Sequence, residues 1–171
     1  MKRFFALLLS LSVMLTLTAC GEERSTFDIV SAIVDGETGS PSGMLCRLSA
    51  TEGEIDYASD TMLKDTYGFD RSLKGLEDGA LWLSGGFHPF EAAVFLCRDY
   101  RSSEDIALYL KNRLRTLQSN VYEASSLCKM TPEEYRSYVD NGIVLIAGDY
   151  VALVISSDPK AAKRVFLNAA G

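Results

Sequence analysis

The chain has 171 residues, and its 17 Lys and Arg stand against 23 Asp and Glu, giving a formal net charge of −6. This length can bury the core of one domain, and the acidic balance disfavours a nucleic-acid partner, because neutralising phosphates requires a basic surface. One histidine and four scattered cysteines form no close-spaced metal-ligand motif and no nucleophile signature. We therefore predict no catalytic residue, no metal and no cofactor.

The first twenty residues have the pattern of a bacterial lipoprotein signal. Two basic residues precede an apolar run over 4–18, which is too short to span a bilayer. The run ends in the sequence LTAC, which matches a lipobox, in which the cysteine thiol receives a diacylglyceryl group before cleavage. We therefore predict a signal peptide over 1–19 and an acylated Cys20 that anchors the mature chain at the extracytoplasmic face of the cell membrane.

Residues 20–43 are predicted to be a lipidated tether with one short helix. Thr26 is the candidate cap of a helix over 27–34, and the glycine, serine and proline after it are typical of a linker. Whether this helix docks on the rest of the chain stays open at this point. The globular domain is predicted to cover 44–171.

Strand patterns follow over 44–50, 80–84 and 91–98. The third of these is apolar on both faces, which predicts a central strand covered on both sides. Between the first two, a short helix capped by residue 59 or 60 is predicted to end at Gly68.

A long helix is predicted to begin at a Ser102 cap. Its apolar stripe is formed by Ile106, Leu110, Leu114, Leu117 and Val121. Three basic residues are interpreted as lying off this stripe, on a solvated face: Lys111, Arg113 and Arg115.

The last part of the chain predicts a helix, a hairpin and a second helix. Thr131 and Pro132 form a capping box with proline at the first helical position. A Gly148-Asp149 turn joins two strands that are apolar on both faces, and the final helix begins near 159. Together the elements predict an α+β fold, with an antiparallel sheet of four or five strands and three or more helices in a single domain.

Several motifs together resemble an uncharacterised family of small lipoproteins from Gram-positive bacteria, grouped as a domain of unknown function. The resemblance covers roughly 59–166 and implies an exported lipoprotein without implying an activity. It rests on the lipobox, Tyr67-Gly68, Glu91-Ala92-Ala93-Val94-Phe95-Leu96-Cys97, Ser103-Glu104-Asp105, Glu134-Tyr135, Gly142-Ile143-Val144-Leu145 and the segment from Gly148 to Ile155. His88-Pro89-Phe90-Glu91 resembles a variant within that group.

The loop between the second and third strands is the candidate interaction site. Its glycines permit positive φ, its phenylalanines offer apolar surface, and its histidine and glutamate add polar capacity. The alternative is a plain strand connection, with Phe90 in the core and Glu91 capping a neighbouring backbone. The candidate residues are Gly85, Gly86, Phe87, His88, Phe90 and Glu91.

Three functions remain open from the sequence. The first is a non-catalytic interaction module that binds an unknown protein or peptide partner. The second is a small-ligand carrier or sensor with a pocket between sheet and helices. The third is a hydrolase in which His88 activates a thiol of Cys46, Cys97 or Cys128. These three cysteines allow at most one internal disulfide, and we interpret them mainly as buried thiols.

Overall fold

A computed structural model describes residues 24–37, 42–85 and 88–170. Five strands form one antiparallel sheet in the order β1-β2-β3-β5-β4. The strands are β1 (Gly43–Arg47), β2 (Leu76–Ser84), β3 (Glu91–Cys97), β4 (Ile143–Ala147) and β5 (Tyr150–Ile155). The helices of the described residues are α1 (Thr26–Asp35), α2 (Asp60–Tyr67), α3 (Tyr100–Ser119), α4 (Val121–Leu127), α5 (Pro132–Val139) and α6 (Pro159–Ala170). This arrangement confirms the predicted α+β fold.

The sheet lies between two layers of helices. Helices α1 and α6 cover one face, where Ile29, Ile33 and Phe166 pack against alternate residues of β3 and β5. Helices α2 to α5 cover the other face, where Ile106 and Leu110 pack against the remaining alternate residues. Strand β3 is central and buried on both sides, as its two apolar faces predict.

Helix α1 belongs to the domain, because Ile29 and Val30 are fully buried against the sheet. The domain therefore includes residues before 44, the predicted start. The cap is Ser25 and not Thr26, since the Ser25 hydroxyl accepts a hydrogen bond from the Asp28 N–H at 3.1 Å. Thr26 is buried instead and donates to an Asp78 carboxylate oxygen at 2.8 Å. The Tyr150 hydroxyl also holds this end of the chain by donating to the Arg24 carbonyl at 3.1 Å.

Helix α3 differs from its prediction at both ends. Asp99 is the cap, because its carboxylate accepts from the Ser102 N–H and from the Ser102 hydroxyl, each at 2.8 Å. The predicted Ser102 cap is therefore wrong by one turn. At the other end α3 stops at Ser119, and Val121 begins a separate helix, α4, that the periodicity does not distinguish.

The other helix signals are confirmed. Ser59 caps α2, which ends at Gly68 with a positive φ of 84°. The capping box of α5 is complete, since Thr131 and Glu134 each accept from the backbone N–H of the other, at 3.2 and 2.8 Å. No helix among the described residues is both long enough and apolar enough to cross a membrane.

The hairpin of β4 and β5 forms around Gly148, as predicted. Its two strands differ, however, in how far they are covered. All six residues of β5 are buried, whereas all five of β4 are half-buried, because β4 is the edge of the sheet. Apolar residues on both faces, which the sequence shows for both strands, therefore do not make β4 fully covered. Strand β2 also begins earlier than predicted, at Leu76, with an irregular register before Asp78.

Candidate functional site

A cavity of about 300 Å³ opens where β2 ends and β3 begins, on the sheet face that α2 to α5 cover. Leu83 of β2 pairs with Glu91 of β3 at this point, so the two strands form the floor. Helices α3 to α5 supply most of the remaining wall. Most of the lining is apolar and comes from Leu83, Pro89, Phe90, Leu117, Ala124 and Leu127. We call this space the Glu91–Arg113 cavity, after the two charged residues that line it.

Glu91 and Arg113 form an ion pair inside the domain. The Glu91 side chain is 6% exposed, and its Oε2 accepts from Nη2 and Nε of Arg113 at 2.9 and 3.3 Å. Burial alone would lower the pKa of Arg113, but the Glu91 carboxylate and these hydrogen bonds raise it above its ordinary value. The Arg113 guanidinium therefore stays charged across the physiological range.

One oxygen of the same carboxylate is unused. Glu91 Oε1 is buried and has no hydrogen-bond partner among the described residues. The buried Tyr67 hydroxyl also has no partner there at ideal hydrogen-bond geometry, but it lies close enough to Glu91 for a side-chain hydrogen bond to the carboxylate to contribute to its raised pKa. Burial first, and then the Glu91 charge, raise the pKa of Tyr67, so its hydroxyl is protonated. A buried acceptor without a partner is uncommon, because it keeps the full cost of desolvation.

The positions of the two residues on their elements place the pair between the sheet and α3. Glu91 lies on the same face of β3 as Ala93 and Phe95, and this face packs against α3. Arg113 follows Leu110 by three positions and Ile106 by seven, which places it on the buried face of α3. The prediction that Arg113 lies on a solvated face is therefore wrong, and this spacing was the signal for its true position.

The structure divides the predicted interaction loop. Gly86 and Phe87, like Cys20, lie outside the described residues. Gly85 is exposed, and its N–H donates to the Ser42 carbonyl at 2.6 Å. Phe90 is 1% exposed and packs in the core between α1, α6 and the sheet. A protein or peptide partner could not reach the Phe90 side chain without unfolding this part of the domain.

The plain-connection alternative is thus correct for Phe90 and wrong for Glu91. The Ser84 hydroxyl donates to the Phe90 carbonyl at 2.6 Å, which ties the two ends of the connection together. Among the described residues Glu91 caps no backbone group, and its carboxylate accepts from Arg113. Its contact lies 22 positions away in sequence, so local turn chemistry could not indicate it.

His88 also lines the cavity, and it acts as an acceptor. Its Nδ1 accepts from the Phe90 N–H at 3.1 Å, and its ring meets Tyr138 edge to face at 5.1 Å. Burial lowers the pKa of His88, which agrees with an unprotonated Nδ1. The imidazole is therefore neutral at pH 7 and is held in place by its neighbours.

The three cysteines of the described residues are free thiols. Cys46 and Cys97 are buried in the core, and Cys128 is half-buried in the cavity wall. Burial raises the pKa of all three, which disfavours the thiolate that nucleophilic catalysis needs. Within the described residues, no group of three or more metal-ligating side chains gathers.

A larger groove of about 690 Å³ runs along the start of α3. Its lining mixes both signs of charge, with Lys74, Arg98 and Arg101 beside Asp99 and Asp105. None of the buried unpartnered side-chain atoms of the described residues lies in it. The Glu91–Arg113 cavity is therefore the stronger candidate.

Comparisons of the chain with protein-family models, with curated proteins and with solved structures found no match. The geometry of this cavity and the signals in the sequence are therefore the grounds for a functional proposal.

Proposed function

We propose that this chain is a lipid-anchored, extracytoplasmic binding protein that holds a small ligand in the Glu91–Arg113 cavity without catalysis. The anchor rests on the lipobox at Cys20 and on the resemblance to the lipoprotein family. The proposal that the protein binds a ligand rests on the cavity. A cavity of this size, mostly apolar with a few convergent polar groups, is typical of small-molecule sites.

The observation that carries the proposal is an ion pair whose Glu91 side chain is 6% exposed and whose Arg113 side chain is 24% exposed. Removing two charges from water is costly, and apolar side chains of similar volume often give equal or greater stability. Stability alone therefore does not account for Glu91 and Arg113 at this position. A ligand that uses the pair does account for it, and also for the unpartnered Oε1 beside the cavity.

A protein or peptide partner at the loop is the weaker alternative. That hypothesis needs the loop to present its large apolar and charged side chains. Phe90 and Glu91 point into the domain instead, and His88 is held by the Phe90 N–H and by Tyr138. The hydrolase hypothesis is weaker still, because its only histidine already uses Nδ1 as an acceptor.

The cavity can be tested by filling it. Ala124 is a half-buried alanine of α4 that lines the cavity, and Ala161 is a half-buried alanine of α6 that does not. We expect Ala124→Phe to abolish ligand binding and Ala161→Phe to preserve it, in the full chain purified in detergent. A metabolite library screened by thermal shift supplies the ligand, since a compound at a hundred times its Kd stabilises by about 2.7 kcal/mol. Full binding by Ala124→Phe would overturn this site.

The anchor is tested separately by mass spectrometry of the N-terminal peptide. We expect a peptide that begins at Cys20 and carries the mass of a diacylglyceryl group, recovered from the membrane fraction. A Cys20→Ser variant should lose that mass and leave the membrane. An intact Met1 start in the soluble cytosolic fraction would overturn the proposed location.

A further inference from the structure

The hydrogen-bonding capacity left at the floor of the Glu91–Arg113 cavity restricts the chemistry of its ligand. Both hydrogen bonds from Arg113 go to Oε2 of Glu91, and Oε1 receives none from the described residues. An ionised carboxylate oxygen can only accept. A ligand that completes the hydrogen bonding of Oε1 would therefore bring an N–H or O–H donor, in place of the nearby Tyr67 hydroxyl.

The ligand must also suit the second member of the pair. A guanidinium has five N–H groups, and Glu91 uses those on Nε and Nη2 alone. The unused N–H groups favour an acceptor on the ligand, next to its donor. A group that pairs a donor with an acceptor satisfies both residues at once.

The charge balance of the site disfavours a charged ligand. Glu91 and Arg113 cancel each other within 2.9 Å, and burial keeps the neighbouring His88 neutral at pH 7. An ammonium group that approached Glu91 would be repelled by Arg113 at nearly the same distance. A carboxylate that approached Arg113 would likewise be repelled by Glu91. Neither recovers the hydration that it loses on entering an apolar cavity.

Resting on the proposed function above, we propose that the ligand is an uncharged small molecule that presents a donor and an acceptor side by side to Glu91 Oε1 and Arg113. Carboxamides and neighbouring sugar hydroxyls share this chemistry. The apolar part of the ligand lies against Leu83 and Leu117, which line the cavity beside the pair. The volume of about 300 Å³ limits the ligand to one ring or a short chain.

Two matched sets of probes test the charge preference and separate the two sources. The first set is benzamide, benzoate and benzylammonium, and the second is glucose, glucuronate and glucosamine. We expect the uncharged member of at least one set to bind the full-length protein at least about tenfold tighter than its charged relatives by calorimetry, a difference of about 1.4 kcal/mol. Tighter binding of a charged member, or no binding by any of the six, would overturn the inference.

Variants of the pair show whether it sets this preference. Glu91→Gln leaves the Arg113 charge without a counter-ion, so the preference should move toward benzoate or glucuronate. Arg113→Gln leaves the Glu91 charge without a counter-ion, so the preference should move toward benzylammonium or glucosamine. Arg113→Lys keeps the charge balance, so it should weaken binding but still prefer the uncharged probe. An unchanged preference in both glutamine variants would overturn the role of the pair.

Tyr67→Phe tests the internal alternative, in which the Tyr67 hydroxyl satisfies Oε1 in the free protein. Tyr67 does not line the cavity, so affinity for the uncharged probe should stay within about twofold. A tenfold gain on removing the hydroxyl would show that it occupies Oε1 and would overturn the inference. This inference can fail while the proposed function stands. If the ligand proves to be charged but Ala124→Phe still blocks its binding, the binding role is intact and only the inferred ligand chemistry is wrong.

Discussion

The two faces of the sheet are covered in different ways. Helices α1 and α6 cover one face with an apolar core that includes Ile29, Ile33 and Phe166. Helices α2 to α5 cover the other with an apolar core that also surrounds the Glu91–Arg113 ion pair and its cavity. The first face serves mainly to hold the domain together, whereas the second keeps a polar arrangement that stability alone does not require.

The largest expected effect lies on the α1 and α6 face. Phe166 of α6 is fully buried, so Phe166→Ala should lower the free energy of unfolding by about 3 to 5 kcal/mol. The neighbouring Leu167 is 41% exposed, and Leu167→Ala should change it by only about 0.5 kcal/mol. Urea denaturation measures both. A similar loss of unfolding free energy in the two variants would mean that α6 does not cover this face of the sheet.

The ion pair should behave differently when it is broken and when it is replaced. Arg113→Met leaves a buried carboxylate uncompensated and should cost about 3 kcal/mol. Adding Glu91→Leu should restore most of that stability, because an apolar pair replaces the ion pair at similar volume. The double variant should nevertheless bind no ligand in calorimetry. A double variant that binds normally would remove the functional distinction between the two faces.

Two helix caps offer a matched comparison of smaller size. Ser25 caps α1 and Thr131 caps α5, each through one side-chain oxygen. Ser25→Ala and Thr131→Ala should each lower the free energy of unfolding by about 1 kcal/mol. Only Thr131→Ala should also weaken ligand binding, since α5 places Tyr135 in the cavity wall. Equal binding losses in both variants would indicate a general loosening of the fold.

The smallest expected effect is a pH dependence from His88. The unfolded chain takes up this proton near pH 6.5, whereas burial lowers the pKa of His88 in the folded chain. Unfolding therefore binds a proton in this window, and stability falls as pH drops from 6.5 through the folded pKa. Above pH 6.5 this contribution is constant. The difference between the wild type and His88→Gln, measured by denaturation from pH 7.5 to 5, isolates this dependence, and no difference would contradict it.

The sequence predicts those parts of the fold whose signals are local. The capping box at Thr131, the turn at Gly148 and the two apolar faces of β3 each depend on a few adjacent residues, and each is confirmed. The edge position of β4 could not be read in the same way, because apolar residues alone do not show how many neighbours a strand has. Asp99 and Ser102 could both cap α3, and only the backbone geometry distinguishes them.

The candidate site was predictable only in part. Glu91 and His88 were singled out by their loop, and both line the cavity. Arg113 was misplaced, although its spacing from Ile106 and Leu110 indicates a buried position. Its partner could not be inferred, because the contact needs both α3 and the register of β3 against β2. Polar pairs of this kind depend on tertiary structure, so a single sequence gives only a weak signal for them.

If Cys20 is acylated as proposed, the docking of α1 would limit the distance between the domain and the bilayer. The chain is already held at Arg24 by the Tyr150 hydroxyl. With Cys20 acylated as proposed, the span between these two points reaches at most about 14 Å at ~3.4 Å per residue. That is less than half of the roughly 30 Å length of the 20-residue helix α3. The domain would therefore stay close to the lipid headgroups with restricted rotation. It would encounter molecules that diffuse along the membrane surface.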